Sequence, residues 1–80
     1  MNRHEDLALL IHSKDAALNG WGKRLREVSG LSQGDLAAVV GVTPGCISRW
    51  EAGRRRPHGQ PAKEYAKALR TLGELVTAEP

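Results

Sequence analysis

Between residues 33 and 52 the chain has room for two short helices and a turn of only two residues, Gly41-Val42. A turn that short leaves the helices no choice but to cross closely and share a seam. Leu36, Val40, Val42, Ile47 and Trp50 are apolar at the positions where the seam must be buried. Ala37 is small where the second helix passes closest. Gly41 stands where the first helix must end in a left-handed residue, a conformation that glycine adopts at little cost.

The flanking residues set the boundaries. Ser32 is a good N-cap for a helix running to Val40, and Asp35 puts a carboxylate in its first turn, where the helix dipole favours it. Thr43 caps the next helix and Pro44 fills its first position, the one place where proline helps. That helix runs to about Ala52 and stops at Gly53. Upstream, the sequence predicts a segment from about Arg3 to Leu18, opened by Asn2 with Glu5 in the manner of a capping box and closed at Asn19-Gly20. Its apolar side is Leu7, Leu10, Ile11 and Leu18, interrupted by Lys14, and Ser13 offers a point where it breaks in two. A segment from Trp21 to Ser29 follows, ended by Gly30. Downstream, a helix starts at Pro61 and runs to about Leu75, with Ala62, Tyr65, Ala66, Leu69 and Leu72 on one face. No alternating strand pattern occurs. The expectation is an all-α bundle of about five helices: an N-terminal helical extension (1–20), a main domain (21–75) and a frayed tail (76–80).

Eighty residues make one small domain, hiding roughly 60–65% of its unfolded surface. A deep catalytic cavity does not fit that size. Phenylalanine is absent and Trp21, Trp50 and Tyr65 are the aromatics, so aliphatic residues must fill most of the core. The single cysteine, Cys46, excludes an internal disulfide and fits a reducing compartment. No apolar run approaches the ~20 residues that span a bilayer, and the opening residues are too acidic for a signal peptide. The expectation is a cytoplasmic protein with no membrane association. The net charge of +3 is unevenly spread: residues 21–60 carry seven Lys/Arg against three acids, while the two flanks are −1 and 0. A phosphate backbone is the natural partner for such a surface.

The same residues carry a resemblance. Leu25-Arg26, Gly30-Leu31-Ser32-Gln33, Leu36-Ala37, Gly41-Val42, Ile47-Ser48-Arg49-Trp50-Glu51, Gly53 and Pro57 together resemble the phage-repressor (XRE) type of helix-turn-helix. That group includes the lambda and 434 repressors and Cro. The likeness covers roughly residues 21–72 and leaves the first twenty outside. It implies that the two short helices are a positioning helix and a recognition helix (43–52) that enters the DNA major groove. It implies that Thr43, Pro44, Gly45, Ser48 and Arg49 face DNA and that Gln33 holds a phosphate. It further implies that Arg26 and Glu51 form a structural ion pair, and that the basic loop Arg54-Arg55-Arg56 lies along the sugar-phosphate chain. One departure stands out. The groove-facing pair at the start of the recognition helix, usually polar in the family, is Pro44-Gly45. Neither side chain makes a hydrogen bond, and Gly45 and Gly34 each weaken their helices by about 1 kcal/mol relative to alanine.

Direct base reading then falls to Arg49 and Ser48, with Thr43 beside them. Arginine pairs bidentately with guanine, worth roughly 1–3 kcal/mol of discrimination. Affinity falls to Lys23, Gln33 and Arg54–Arg56, and the amides beside Ser32 can hold a phosphate at the helix start. Trp50 belongs to the core. Trp21 has two readings, a plug at the top of the bundle or a residue on a partner surface. Cys46 is a small residue on a helix flank. His4, His12 and His58 show no ligand spacing to it or to one another, so no metal and no cofactor are expected. No nucleophile–base set, carboxylate pair or phosphate-cradling glycine loop marks an enzyme. Leu7, Leu10, Ile11 and Leu18, and separately Leu72, Leu75 and Val76, pack on the chain's own core or on a second chain.

The reading that unites these features is a small regulator of transcription, a repressor, that binds double-stranded DNA selectively, as a homodimer. A phage or prophage origin fits its size and family. Two alternatives stand beside it. One is a protein-interaction module, an antitoxin or anti-repressor that docks through the N-terminal helix. The other is an architectural or recombination accessory factor of low sequence preference.

Overall fold

Each of the two central helices is opened by a side chain that satisfies its first free amides. Ser32 Oγ accepts from Asp35 N at 2.9 Å, and Asp35 Oδ2 accepts from Ser32 N at 3.0 Å, a reciprocal capping box. Thr43 Oγ1 accepts from Cys46 N at 3.1 Å, with Pro44 in the first helical position. Between them Gly41 (φ 87°) and Val42 both donate to the Ala37 carbonyl, at 2.8 and 3.0 Å, which turns the chain in two residues. A side chain at Gly41 would be strained by that backbone.

The computed structural model describes residues 3–77. They form five helices, α1 (Arg3–Asn19), α2 (Trp21–Val28), α3 (Gln33–Val40), α4 (Pro44–Glu51) and α5 (Gly59–Thr77), and no strand. The architecture is an all-α bundle containing a helix-turn-helix, α3 and α4. Asn2, expected to cap the first segment, and residues 78–80 lie outside the described residues. The core joins Ala16 and Ala17 of α1, Leu36, Ala37 and Val40 of α3, Ile47 and Trp50 of α4, and Tyr65 and Leu69 of α5. Trp50 meets Tyr65 with ring centroids 4.9 Å apart. Trp21 is half-buried against this core, its ring beside His12 and its Nε1 donating to Asp15 Oδ2 at 2.9 Å.

Three details of the outer helices differ from the sequence expectation. The buried side of α1 is Leu9, Ser13, Ala16 and Ala17, whereas Leu7, Ile11 and Leu18 are 55%, 60% and 74% exposed. The cause is the neighbour. α1 packs along α5, whose own buried residues include Ala62 and Ala66, and helices that approach through small residues leave no room for a leucine stripe. Ser13 does not break α1, because its Oγ donates to the Leu10 carbonyl at 2.8 Å and so is satisfied inside the helix. Finally, α5 begins at Gly59, two residues before Pro61, which sits in its first turn.

Gly22 marks where α1, α2 and α5 meet. A Cβ there would collide with the Tyr65 hydroxyl and press on the Ala16 methyl at 3.3 Å. Gly34 is different: a Cβ would meet Ser32 Oγ at an ordinary 3.6 Å. Gly22→Ala should therefore lower the thermal midpoint, its overpacking cost of about 1–3 kcal/mol exceeding the helix-propensity gain. Gly34→Ala should leave it unchanged or raise stability by up to about 1 kcal/mol. Thermal unfolding followed by circular dichroism compares the two.

Candidate nucleic-acid interface

An acidic residue in the last turn of a helix faces the negative end of the helix dipole. Glu51 occupies that position in α4, and the structure surrounds it with donors. Arg26 of α2 reaches it with both arms of its fork, Nε to Oε2 at 2.7 Å and Nη2 to Oε1 at 2.9 Å. Arg26 Nη1 donates to the Leu31 carbonyl at 2.8 Å, and Gln33 Nε2 donates to Glu51 Oε1 at 3.0 Å. The Arg26 and Glu51 side chains are only 9% and 3% exposed. This network ties α2, the start of α3 and the end of α4 together.

Burial by itself pushes the Glu51 carboxyl up. The hydrogen bonds from Arg26 and Gln33, then the charges of Arg26 and Lys23, outweigh it and leave the group below its ordinary value of 4.5. The Arg26 guanidinium is raised in turn, chiefly by its hydrogen bond to Glu51.

The opposite side of α4 is open. Ile47 and Trp50 point inward, while Thr43, Pro44, Gly45, Ser48 and Arg49 are all exposed along one outward surface. Thr43 Oγ1 is committed as an acceptor to the Cys46 amide but keeps its hydroxyl hydrogen to donate. Gly45 has a positive use that its sequence position only hinted at. Long helical side chains lean towards the N-terminus, over the residue four earlier, and Arg49 lies four residues after Gly45. A Cβ on Gly45 would stand 3.3 Å from Arg49 Nη1, so the guanidinium rests over the space that the missing side chain leaves.

The cationic residues fall into two groups. Arg54, Arg55 and Arg56 are exposed, and their loop is fastened to the end of α4. The amides of Arg54 and Arg55 both donate to the Arg49 carbonyl, at 2.9 and 3.3 Å. Pro57, fully buried, anchors the far side of this loop. Lys23, Ser32 and Gln33 lie near the Glu51 network instead. Lys23 is exposed, the Ser32 hydroxyl is occupied in the capping box, and the Gln33 amide is half-buried on Glu51 with one N–H to spare. Cys46 is half-buried and free. No three metal-ligating side chains come together among the described residues, and no helix there is long and apolar enough to cross a membrane.

Comparison with known proteins agrees with this geometry. A family model described as helix-turn-helix (HTH_3) matches residues 23–75, and the chain belongs to that family, the XRE type that its sequence pattern resembles. Over 61 residues it is 36% identical to an uncharacterised HTH-type transcriptional regulator of Archaeoglobus fulgidus. The match takes in 76% of this chain and 25% of that relative, so the chain spans about a quarter of the relative's length. No solved structure matches.

A carboxyl held below its ordinary value stabilises the fold above its unfolded value and loses that contribution as the pH falls through the folded one. Stability should therefore decline on acidification below 4.5, with Asp35, lowered by the Ser32 amide and hydroxyl, adding in the same direction. Arg26→Ala leaves a buried carboxylate unpaired and should cost about 3 kcal/mol at neutral pH. Urea titrations across a pH series should show that loss together with a flattened acid limb.

Proposed function

We propose that this chain binds double-stranded DNA as a transcriptional regulator, with α4 in the major groove. One observation carries the reading. α4 is locked at its C-terminal end by the Arg26–Glu51–Gln33 network, and its free side presents Ser48 and Arg49 beside a loop of three arginines bonded to its own last turn. A groove reader needs a rigid helix, a donor fork and flanking cations, and all three meet on this surface.

In this reading Arg49 takes guanine O6 and N7, and Ser48 and Thr43 donate to neighbouring acceptors. The Pro44 ring offers only apolar contact, suited to a thymine methyl. Lys23, the spare N–H of Gln33, the amides after Ser32 and Arg54–Arg56 hold phosphates. DNA shape supplies the rest of the selectivity. Regulation is by repression: two copies sit on one face of the duplex with recognition helices about 34 Å apart, and the site is closed to other proteins. The exposed Val28 and Leu75, each at 64%, provide apolar surface for such a homodimer.

Selection of bound duplexes from a random pool tests binding, preference and half-site spacing together. Arg49→Ala should lose preference for the selected site more than it loses total binding. An equal loss on selected and random duplexes contradicts the assignment and favours an accessory factor of low specificity. The three loop arginines of each subunit should contribute about −5 to the slope of log affinity against log salt in a dimer. Replacing all three arginines should remove that contribution.

The exposed Leu7, Ile11 and Leu18 of α1 favour a second reading, a module that holds another protein through this helix. A stoichiometric hetero-complex that survives nuclease, from a chain indifferent to every duplex, would select it.

A further inference from the structure

α1 lies outside the segment matched by the helix-turn-helix family, and one of its residues resists a packing explanation. Positions 7, 11, 14 and 18 follow one another along a single outward stripe, apolar except at Lys14. A lysine in that place is not core, and none of the ion pairs among the described residues involves it. Its neighbours account for it. Lys14 lines a cleft between α1 and the loop after α4, together with Leu18, Trp50, Gly53, Arg55 and Arg56. Neither arginine takes part in those ion pairs.

We propose that Lys14, Arg55 and Arg56 line a subsite for successive backbone phosphates of the bound duplex, one cation to each phosphate, so that α1 belongs to the DNA interface. The proposal rests on the DNA-binding reading above. Three cations around one cleft repel each other unless an anion enters. The carboxylate that shares the lining is Asp15. Its two oxygens are already held by donors, Oδ2 by Trp21 Nε1 at 2.9 Å and Oδ1 by the Asn19 amide. Three positive groups against one leave a surplus for a ligand. Leu18 and Trp50 supply an apolar wall, which lowers the local dielectric and strengthens attraction to an anion relative to open water. The position also follows from the chain. The Arg55 amide is bonded to the Arg49 carbonyl, so the cleft begins where the recognition helix ends, on the path of the sugar-phosphate chain beyond the bases that Arg49 reaches.

The experiment uses the whole chain and a selected duplex, with affinity measured across a salt series. Lys14→Ala should make the slope of log affinity against log salt shallower by about 0.9 per subunit. It should weaken selected and random duplexes by the same factor and leave the thermal midpoint unchanged. Lys14→Arg should keep the parent slope. Lys63→Ala, which removes a lysine paired with Asp6 at 3.5 Å, should keep it too. An unchanged slope in Lys14→Ala, while Arg55→Ala and Arg56→Ala each lower it, overturns the α1 assignment and leaves the DNA reading standing. A parent chain that binds no duplex overturns both. A separate arm titrates inorganic phosphate and pyrophosphate against tryptophan fluorescence. Saturable binding that Lys14→Ala abolishes, with no change in salt slope, assigns the cleft to a free anion and overturns the backbone assignment.

Discussion

The ion pair between Arg26 and Glu51 is the contact on which the placement of the exposed helix depends. Taking two charges out of water costs several kcal/mol per ion, and attraction offsets that only where the geometry is good and the remaining donors are satisfied. Both conditions are met. The contact is bidentate, and Leu31 and Gln33 occupy the groups left over. A hydrophobic pair of the same volume would stabilise α2 against α4 about as well, but would accept many crossing angles. A two-armed guanidinium–carboxylate contact accepts few. It adds a directional constraint at the end of α4 to the packing of that helix on α3.

That restriction matters because α4 is only eight residues long and an isolated helix of that length does not persist in water. Its direction is borrowed from its surroundings. Ile47 and Trp50 press it onto the core, the Thr43 cap and Gly41 turn set where it starts, Gly53 (φ 72°) turns the chain where it ends, and Glu51 ties that end to Arg26. The same anchoring extends to the arginine loop through the Arg49 carbonyl and the buried Pro57. The charged surface is thus positioned by backbone bonds and packing, while its side chains are exposed.

The legible parts of the chain were those governed by nearest neighbours. Ser32 with Asp35, Gly41-Val42 and Thr43-Pro44 mark helix ends through bonds that close within a few residues, and the structure places those ends where the residues indicate. The inward positions of α4 and α5 were legible too, because each has one apolar face, and those of α3 followed from the seam that a two-residue turn imposes, although Val39 beside them is exposed. α1 was not legible. Its leucines and isoleucine suggest one face, yet the buried face is Leu9, Ser13, Ala16 and Ala17. Hydrophobicity ranks residues by what they gain from burial, and it cannot weigh the distance at which a partner helix will lie. At the candidate site the residue types were visible in the chain, but their connections were not. Gln33 carried a phosphate expectation, and its link to Glu51 had no local signal. Gly45 looked like an absence until Arg49 was seen to lie across it.

From the residues alone came the number and order of the helices, the two-residue turn, the family and the concentration of positive charge at the centre of the chain. The helix ends and the turn are set by bonds and periodicities that span one or two helical turns, and the family and the charge by residue types at fixed places along the chain. Tertiary structure decided which side of α1 turns inward, how Glu51 is enclosed, and that Lys14 shares a cleft with arginines some forty positions later. The first and last depend on how α1 packs against its neighbours, and the second on how α2 and the start of α3 meet the end of α4; each is a property of surfaces in contact, written in no single segment.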